Sequence, residues 1–148
     1  MHKLTSLFIR IPFINEWIWS LTSRSRSMTA SSLKRIFFPH ERIPEDLVDE
    51  VFAELPCPGT GRVIIASQKY EMGWRGLRTV YMVWLGEIQA PTLLIHSSKD
   101  TLAPLEASRQ AQTRIANAHL YIMEDCGRWS QGEDPEIFNR VLRSFLDA

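Results

Sequence analysis

Two short apolar segments, each followed by a polar turn, are the features that most constrain the fold of this chain. The first, residues 92–96, is a nearly continuous apolar run that follows Pro91. Such a run is typical of a strand in a parallel sheet covered on both faces, and proline suits a first strand position because a missing N–H is tolerated there. The second segment is residues 120–123. We expect the polar residues after both strands to share the carboxyl edge of one sheet, where α/β proteins collect ligand-binding and catalytic groups.

The residues between the two segments, 103–116, have the pattern of a helix. Pro104 suits the first turn, and an apolar stripe repeats every four residues at Ala107, Ala111 and Ile115. Together these elements predict a right-handed strand–helix–strand unit.

A final helix is predicted to begin at Asp134-Pro135. The residues that we expect to face the sheet are Phe138, Val141, Leu142 and Phe145, with Ile137 and Leu146 beside them.

These residues resemble the α/β-hydrolase fold family. Ile88-x-Ala-Pro-Thr-Leu-Leu-Ile-His-x-x-x-Asp100 is similar to the family's seventh strand and acid-bearing turn. Asp125-Cys-Gly-x-Trp-x-Gln-x-Glu-x-Pro-Glu136 is similar to the loop after its eighth strand. The resemblance implies an α/β fold in which a helical cap, residues 1–85, is followed by strand–helix–strand–helix, residues 86–148. That second part would be the C-terminal portion of the family's parallel sheet.

The resemblance also implies an esterase or acyl hydrolase by descent, with a catalytic serine, histidine and carboxylate. Asp100 stands at the acid position, but Arg128 stands where the family has its catalytic histidine, and Ser97 replaces a glycine. A guanidinium stays protonated, so it cannot accept the nucleophile's proton. We expect Arg128 to form a salt bridge with Asp100 instead.

The family's nucleophile elbow, Gly-x-Ser-x-Gly, does not occur in this sequence. The chain, at 148 residues, is also too short for a complete capped hydrolase. Whether it is an enzyme therefore stays open. We expect it to be a truncated hydrolase that is inactive alone. The alternatives are one half of a split hydrolase completed by a second chain, and a non-catalytic binding or interaction module that uses the apolar cap.

The region before residue 86 is dominated by helical patterns. A helix is predicted to begin at Pro44 and to end at Pro56. Residues 63–70 are predicted to be helical, although the apolar run 63–65 could also form a strand. A third helix, apolar on most sides, is predicted over residues 77–84. In the family this region roofs the pocket for a small apolar acyl or ester ligand. The candidate substrate-binding aromatics are Trp74, Tyr81, Trp84 and Trp129, although we favour packing within the cap as the role of the first three.

Composition limits the partners. The formal net charge is zero, so we expect no nucleic acid, and no apolar run is long enough for a membrane span. The two cysteines and four histidines lack metal-ligand spacing, so we expect neither a metal nor a cofactor, and a reduced, cytoplasmic setting. A strand edge left open by so few strands predicts a partner chain or self-association that covers it.

Overall fold

The computed structural model describes residues 17, 19–21, 23–57, 59–73, 76–77 and 80–148. The chain falls into two compact units. The first contains the described residues up to 31 together with 45–80, and the second contains 32–44 and 81–148. The division into a cap, 1–85, and a core segment, 86–148, stays a prediction about how the chain is organised as a hydrolase.

Helices make up most of the described part before residue 72. They are α1, Arg26–Leu33, α2, Glu45–Glu54, and α3, Thr60–Glu71. The helices predicted from Pro44 and over 63–70 are confirmed, and α2 carries two acidic residues in its first turn, where they favour the positive end of the helix dipole. Two short strands follow, β1, Met72–Gly73, and β2, Gly76–Leu77, which pair antiparallel.

The helix predicted over residues 77–84 is wrong. Residues 76–77 form β2, and two short 3-10 helices follow, Tyr81–Val83 and Leu85–Glu87. The apolar pattern here lacks a polar face, so it does not define a single stripe to pack against a core. The β-branched side chains of Val80 and Val83 also lower the helix propensity of this stretch.

The second unit contains a parallel two-stranded sheet. Strand β3, Thr92–Ser97, pairs with β4, Ala118–Met123, with Thr92 opposite Ala118 and Ser97 opposite Met123. Helix α4, Leu105–Arg114, connects them and contacts both strands. The predicted strand–helix–strand unit is therefore confirmed, and both polar turns leave the same edge of the sheet.

The inner face of α4 differs from the predicted stripe. Ala107 is exposed, whereas Leu105 and Ser108 are half-buried and Ile115, just after the helix, is 4% exposed. Ser108 faces inward because its hydroxyl has a partner there, the ring nitrogen Nδ1 of His96 at 2.8 Å. A polar side chain that finds a hydrogen-bond partner inside the protein can face inward, so the inner face of α4 does not follow the apolar repeat.

Two helices close the second unit. They are the single turn α5, Ser130–Glu133, and α6, Pro135–Leu146. Asp134 caps α6, since its Oδ1 accepts the backbone N–H of Ile137 at 3.0 Å, and Pro135 occupies the first turn, as predicted. Phe138, Val141, Leu142 and Phe145 are half-buried.

Leu146 was expected to face the sheet, and that is wrong, because it is 70% exposed. It lies in the last turn of α6, directly before the C-cap residue Asp147. The apolar stripe of the sequence therefore continues past the part of the helix that packs.

We expect Asp134→Ala to lower the free energy of unfolding by about 1 kcal/mol, because the N–H of Ile137 loses its cap. Urea denaturation followed by circular dichroism measures the change. Glu124→Ala is the matched control, since Glu124 is exposed and makes no hydrogen bond among the described residues. An equal effect of both substitutions would contradict the capping role.

Candidate functional site

The turn that carries Asp100, the acid turn, begins where β3 ends. The backbone N–H of Asp100 donates to the carbonyl of Ser97 at 3.3 Å. The carboxylate oxygen Oδ1 of Asp100 accepts the N–H groups of Leu102 at 2.8 Å and Ala103 at 3.1 Å. An aspartate that binds backbone groups two and three residues ahead fixes the turn locally, so the side chain, 7% exposed, is held in one orientation.

The second carboxylate oxygen of Asp100 meets an arginine. Nη1 of Arg128 donates to Oδ2 at 3.2 Å, and the arginine side chain is 48% exposed. The salt bridge expected from the sequence is therefore present. Both carboxylate oxygens of Asp100 are occupied by donors, and a fixed positive charge lies beside the residue at the acid position.

The register of the sheet brings the two turns together. The N–H of Ser98 donates to the carbonyl of Met123 at 2.9 Å, and the N–H of Lys99 donates to that of Cys126 at 3.0 Å. In return the hydroxyl of Ser98 accepts the N–H of Asp125 at 3.1 Å. Asp125 has a φ of 52°, a left-handed conformation that aspartate tolerates better than most residues. The chain turns sharply there, toward Arg128.

A carboxylate that the sequence analysis missed fixes the loop from the other side. Glu133 accepts the N–H of Gly127 at both of its oxygens, at 3.1 and 2.9 Å, and Oε2 also accepts the N–H of Phe38 at 2.9 Å. The N–H of Arg128 donates to the carbonyl of Ile36 at 2.6 Å. We name this arrangement the Glu133 clamp, and it joins the loop after β4 to residues 36–38.

Gly127 is required by the clamp. A Cβ atom at this position would collide with the carbonyl oxygen of Ile36 and would lie 2.9 Å from backbone atoms of Phe37 and Phe38. The close approach of two backbones leaves space only for a hydrogen. Glu133 and Gly127 both lie inside the motif around residues 125–136, but the motif does not reveal their partner, which is far away in sequence.

Cys126 is a buried thiol in the same loop, 1% exposed. Burial raises the pKa of the Cys126 thiol, and the negative charge of Glu133 raises it further. Nη1 of Arg42 donates to the carbonyl of Asp125 at 3.2 Å and lies 3.7 Å from the sulfur. A buried thiol with a raised pKa is a poor nucleophile, so Cys126 is a packing residue.

A second polar pair, which was not predicted, lies beside β3. The hydroxyl of Ser108 is 2.8 Å from Nδ1 of His96, and Nε2 of His96 is 3.3 Å from the carbonyl of Ala103. Because a carbonyl can only accept, Nε2 is the donor to Ala103, and Nδ1 forms the hydrogen bond with the serine hydroxyl. This pair joins α4 to β3.

The described members of the predicted substrate-binding set take part in two separate ring contacts. Trp129 packs edge to face against Phe37, with ring centroids 5.5 Å apart. Tyr81 and Trp84 pack against each other at 5.8 Å and are 65% and 51% exposed. Trp74 lies outside the described residues. No ring contact or hydrogen bond between described residues joins the Tyr81–Trp84 pair to Asp100 or Arg128.

Comparison with known proteins identifies the fold. No protein-family model matches the chain. A 2-hydroxy-6-oxononadienedioate/2-hydroxy-6-oxononatrienedioate hydrolase of Klebsiella pneumoniae is 40% identical over 62 residues, which are 42% of this chain and 22% of that protein. A crystal structure of MGS-M2, an α/β hydrolase enzyme from a deep-sea metagenome library, superposes with a TM-score of 0.71 at 22% identity and covers 90% of this chain and 48% of its own. The chain therefore has the fold of an α/β-hydrolase over the part that these structures cover.

A second solved structure agrees in fold. A serine hydrolase involved in carbazole degradation superposes with a TM-score of 0.75 at 22% identity, over 83% of this chain and 47% of that enzyme. This chain therefore spans about half the length of these solved hydrolases, and less than a quarter of the curated relative's length is matched. The parallel strands, the acid turn and the loop after β4 are those of a C-terminal fragment of this fold.

The described residues contain neither a membrane-spanning helix nor a cluster of metal ligands. None of the described helices is long and apolar enough to cross a membrane. Within the same residues, no group of at least three histidine, cysteine or acidic side chains is placed to hold a metal ion.

We expect Glu133→Gln to lower the free energy of unfolding by about 1–2 kcal/mol, because an amide offers one acceptor oxygen to N–H groups that the carboxylate bound with two. Chemical denaturation measures the loss. Glu136→Gln, an exposed residue nearby, is the control. If the two variants had the same midpoint, the clamp would contribute nothing to stability.

Proposed function

We propose that this chain carries the acid-turn portion of an α/β-hydrolase in which an arginine has replaced the proton relay, and that these 148 residues do not catalyse acyl transfer alone. The observation that supports this most directly is the 3.2 Å pair between Arg128 and Asp100. In a triad the acid orients a histidine. Here the acid position is paired with a permanent cation that can donate but cannot accept a proton.

The serines of the site support the same conclusion. Ser130 is 5% exposed, and the hydroxyl of Ser98 is bound to the backbone of Asp125. Neither has a histidine within hydrogen-bond distance among the described residues, so neither hydroxyl is activated. Ser108 does have a histidine beside it, with 2.8 Å between its hydroxyl and Nδ1 of His96, but the sequence has no His-Gly-Gly stretch of the kind that supplies an oxyanion hole in the family.

The ancestral substrate class is proposed from the relatives. Their name specifies a 6-oxo dienedioate, a conjugated acid that carries a ketone, and their reaction is hydrolysis. We propose that a complete enzyme of this type would take a small acyl, ester or related carbonyl compound. Trp74, Tyr81, Trp84 and Trp129 remain the candidate residues for its apolar part. Both cysteines are free, which agrees with the proposed reduced, cytoplasmic setting.

The first test uses a fluorophosphonate probe, which labels an activated serine covalently. We expect no labelling of the 148-residue chain at a probe concentration that labels a complete serine hydrolase to stoichiometry. The positive control is the serine hydrolase of carbazole degradation. Stoichiometric labelling of a single serine in this chain would overturn the proposal.

The second test restores the histidine that carries the proton in the family's triad. The chain is co-expressed with the half of the carbazole-degradation hydrolase that it does not cover, and ester hydrolysis is measured. Arg128→His should raise the rate by orders of magnitude, because a missing member of the triad is returned. Arg143→His, on the exposed side of α6, is the matched control. Equal rates for the two variants in an assembled complex would show that residue 128 is not at the relay position.

A further inference from the structure

A pocket in the first unit is lined by residues that take no part in the site around Asp100. It has a volume of about 470 Å³, which lies within the range of pockets that bind small molecules. Its walls come from Trp19, from the turn that begins at Pro56, and from one face of α3. All of these residues belong to the first unit, so the pocket does not depend on the pair of Asp100 and Arg128.

The face of α3 that lines the pocket carries a cation near each end. Arg62 and Lys69 are two helical turns apart, which is about 10 Å along the axis. Ile65 and Ala66 lie between them on the same face, because residues three and four apart on a helix are neighbours. Ile65 is 8% exposed and Lys69 is half-buried. This face is therefore an apolar strip that lies between two positive charges.

Trp19 forms another wall of the pocket. A Cβ atom at Gly61 would collide with the indole ring of Trp19, so the ring lies directly against the backbone in the first turn of α3. Only glycine leaves room for such a close approach. The indole is half-buried and lines the pocket. A flat aromatic wall favours a ligand with a flat apolar body, because aromatic rings bury large areas and stack with an offset.

The charge around the pocket is positive. No acidic side chain is among the described residues that line it, and neither Arg62 nor Lys69 forms an ion pair with another described residue. Cys57 also lines the pocket, and its thiol donates to Oε2 of Glu54 at 3.4 Å. This hydrogen bond raises the pKa of the Cys57 thiol. The thiol therefore stays neutral and adds no negative charge beside the two cations.

We propose that this pocket binds a small organic acid, whose aromatic body packs against Trp19 and Ile65 and whose carboxylate pairs with the cations of α3. The guanidinium of Arg62 can bind a carboxylate through two parallel N–H donors, and the ammonium of Lys69 acts as a compact point charge. The apolar strip between them covers the body of the ligand. Mixed apolar walls with a few polar groups are the usual composition of a small-molecule site.

Two other kinds of ligand fit the pocket less well. A bare inorganic anion would pair with Arg62 and Lys69 but would leave Trp19 and the apolar strip uncovered. A neutral aromatic compound would cover the strip but would leave both cations without a partner. An aromatic acid satisfies both parts of the lining at once.

The experiment titrates 2-naphthoate into the isotope-labelled 148-residue chain and follows the amide signals by NMR. We expect saturable shifts at Gly59, Gly61 and the indole N–H of Trp19, all of which lie at the pocket. The expected dissociation constant is about 1 mM, from the affinity per atom that is usual for ligands. The amides of Gly127 and Gly132, which belong to the second unit, should not shift.

Two further compounds separate the contributions to binding. The neutral compound 2-naphthamide has the same rings without the charge, and inorganic phosphate has charge without the rings. We expect each to bind at least about tenfold more weakly than 2-naphthoate. If 2-naphthamide bound equally well, the cations would play no part, and if phosphate did, the apolar wall would play none. Either result would overturn the proposal.

Variants then locate the binding site. Exchanging both cations together, Arg62→Gln with Lys69→Gln, should weaken 2-naphthoate binding at least about tenfold. Ala66→Phe keeps both charges but fills the pocket from an exposed position, so it should abolish the shifts. Arg109→Gln removes an exposed cation from α4 in the second unit and is the matched control, which should leave binding unchanged.

Four further results would contradict the proposal. They are the absence of saturable shifts up to about 10 mM 2-naphthoate, shifts confined to the second unit, binding that survives Ala66→Phe, and equal weakening by Arg109→Gln and by the double exchange on α3. An amide spectrum without the dispersion of a folded protein would also count against it, because the pocket exists only when the first unit is folded.

Discussion

The parallel ladder between β3 and β4 is the interaction on which the rest of the second unit depends. Its register places Ser97 opposite Met123, so that the chain leaves both strands at the same edge and the same height. The hydrogen bonds from Ser98 and Lys99 to the second turn extend this ladder past the strands. Asp100 and Arg128 meet because the backbone has already brought their turns together.

The ion pair between Asp100 and Arg128 therefore results from the pairing of the two strands and does not cause it. Asp100 accepts backbone N–H groups within its own turn, and the loop that carries Arg128 is fixed by the Glu133 clamp. An arginine held by this scaffold places a fixed positive charge beside Asp100.

The elements and the main contact of the site could be predicted because their signals are local. The apolar run after Pro91, the start at Asp134-Pro135 and the spacing of Asp100 from β3 each depend on residues near one another in sequence. The pairing of Asp100 with Arg128 was predicted from the resemblance to the α/β-hydrolases, in which the two turns meet at one sheet edge. The Glu133 clamp could not be predicted in this way, because Phe38 and Glu133 are 95 residues apart and meet through a backbone N–H, which every residue except proline carries.

The sequence by itself determined the kind of structure, a parallel strand–helix–strand in which a turn carries Asp100, and a side chain at position 128 that stays a cation, since no arrangement makes a guanidinium a base. Only the tertiary structure decided which side chains pack and where the surface is left open. The polar Ser108 faces inward and the apolar Leu146 faces solvent. Neither orientation follows from the hydrophobicity of the residue, because burial depends on which other groups lie beside each position. The half-exposed β3 shows the same principle, since an apolar strand is buried only when another element lies beside it.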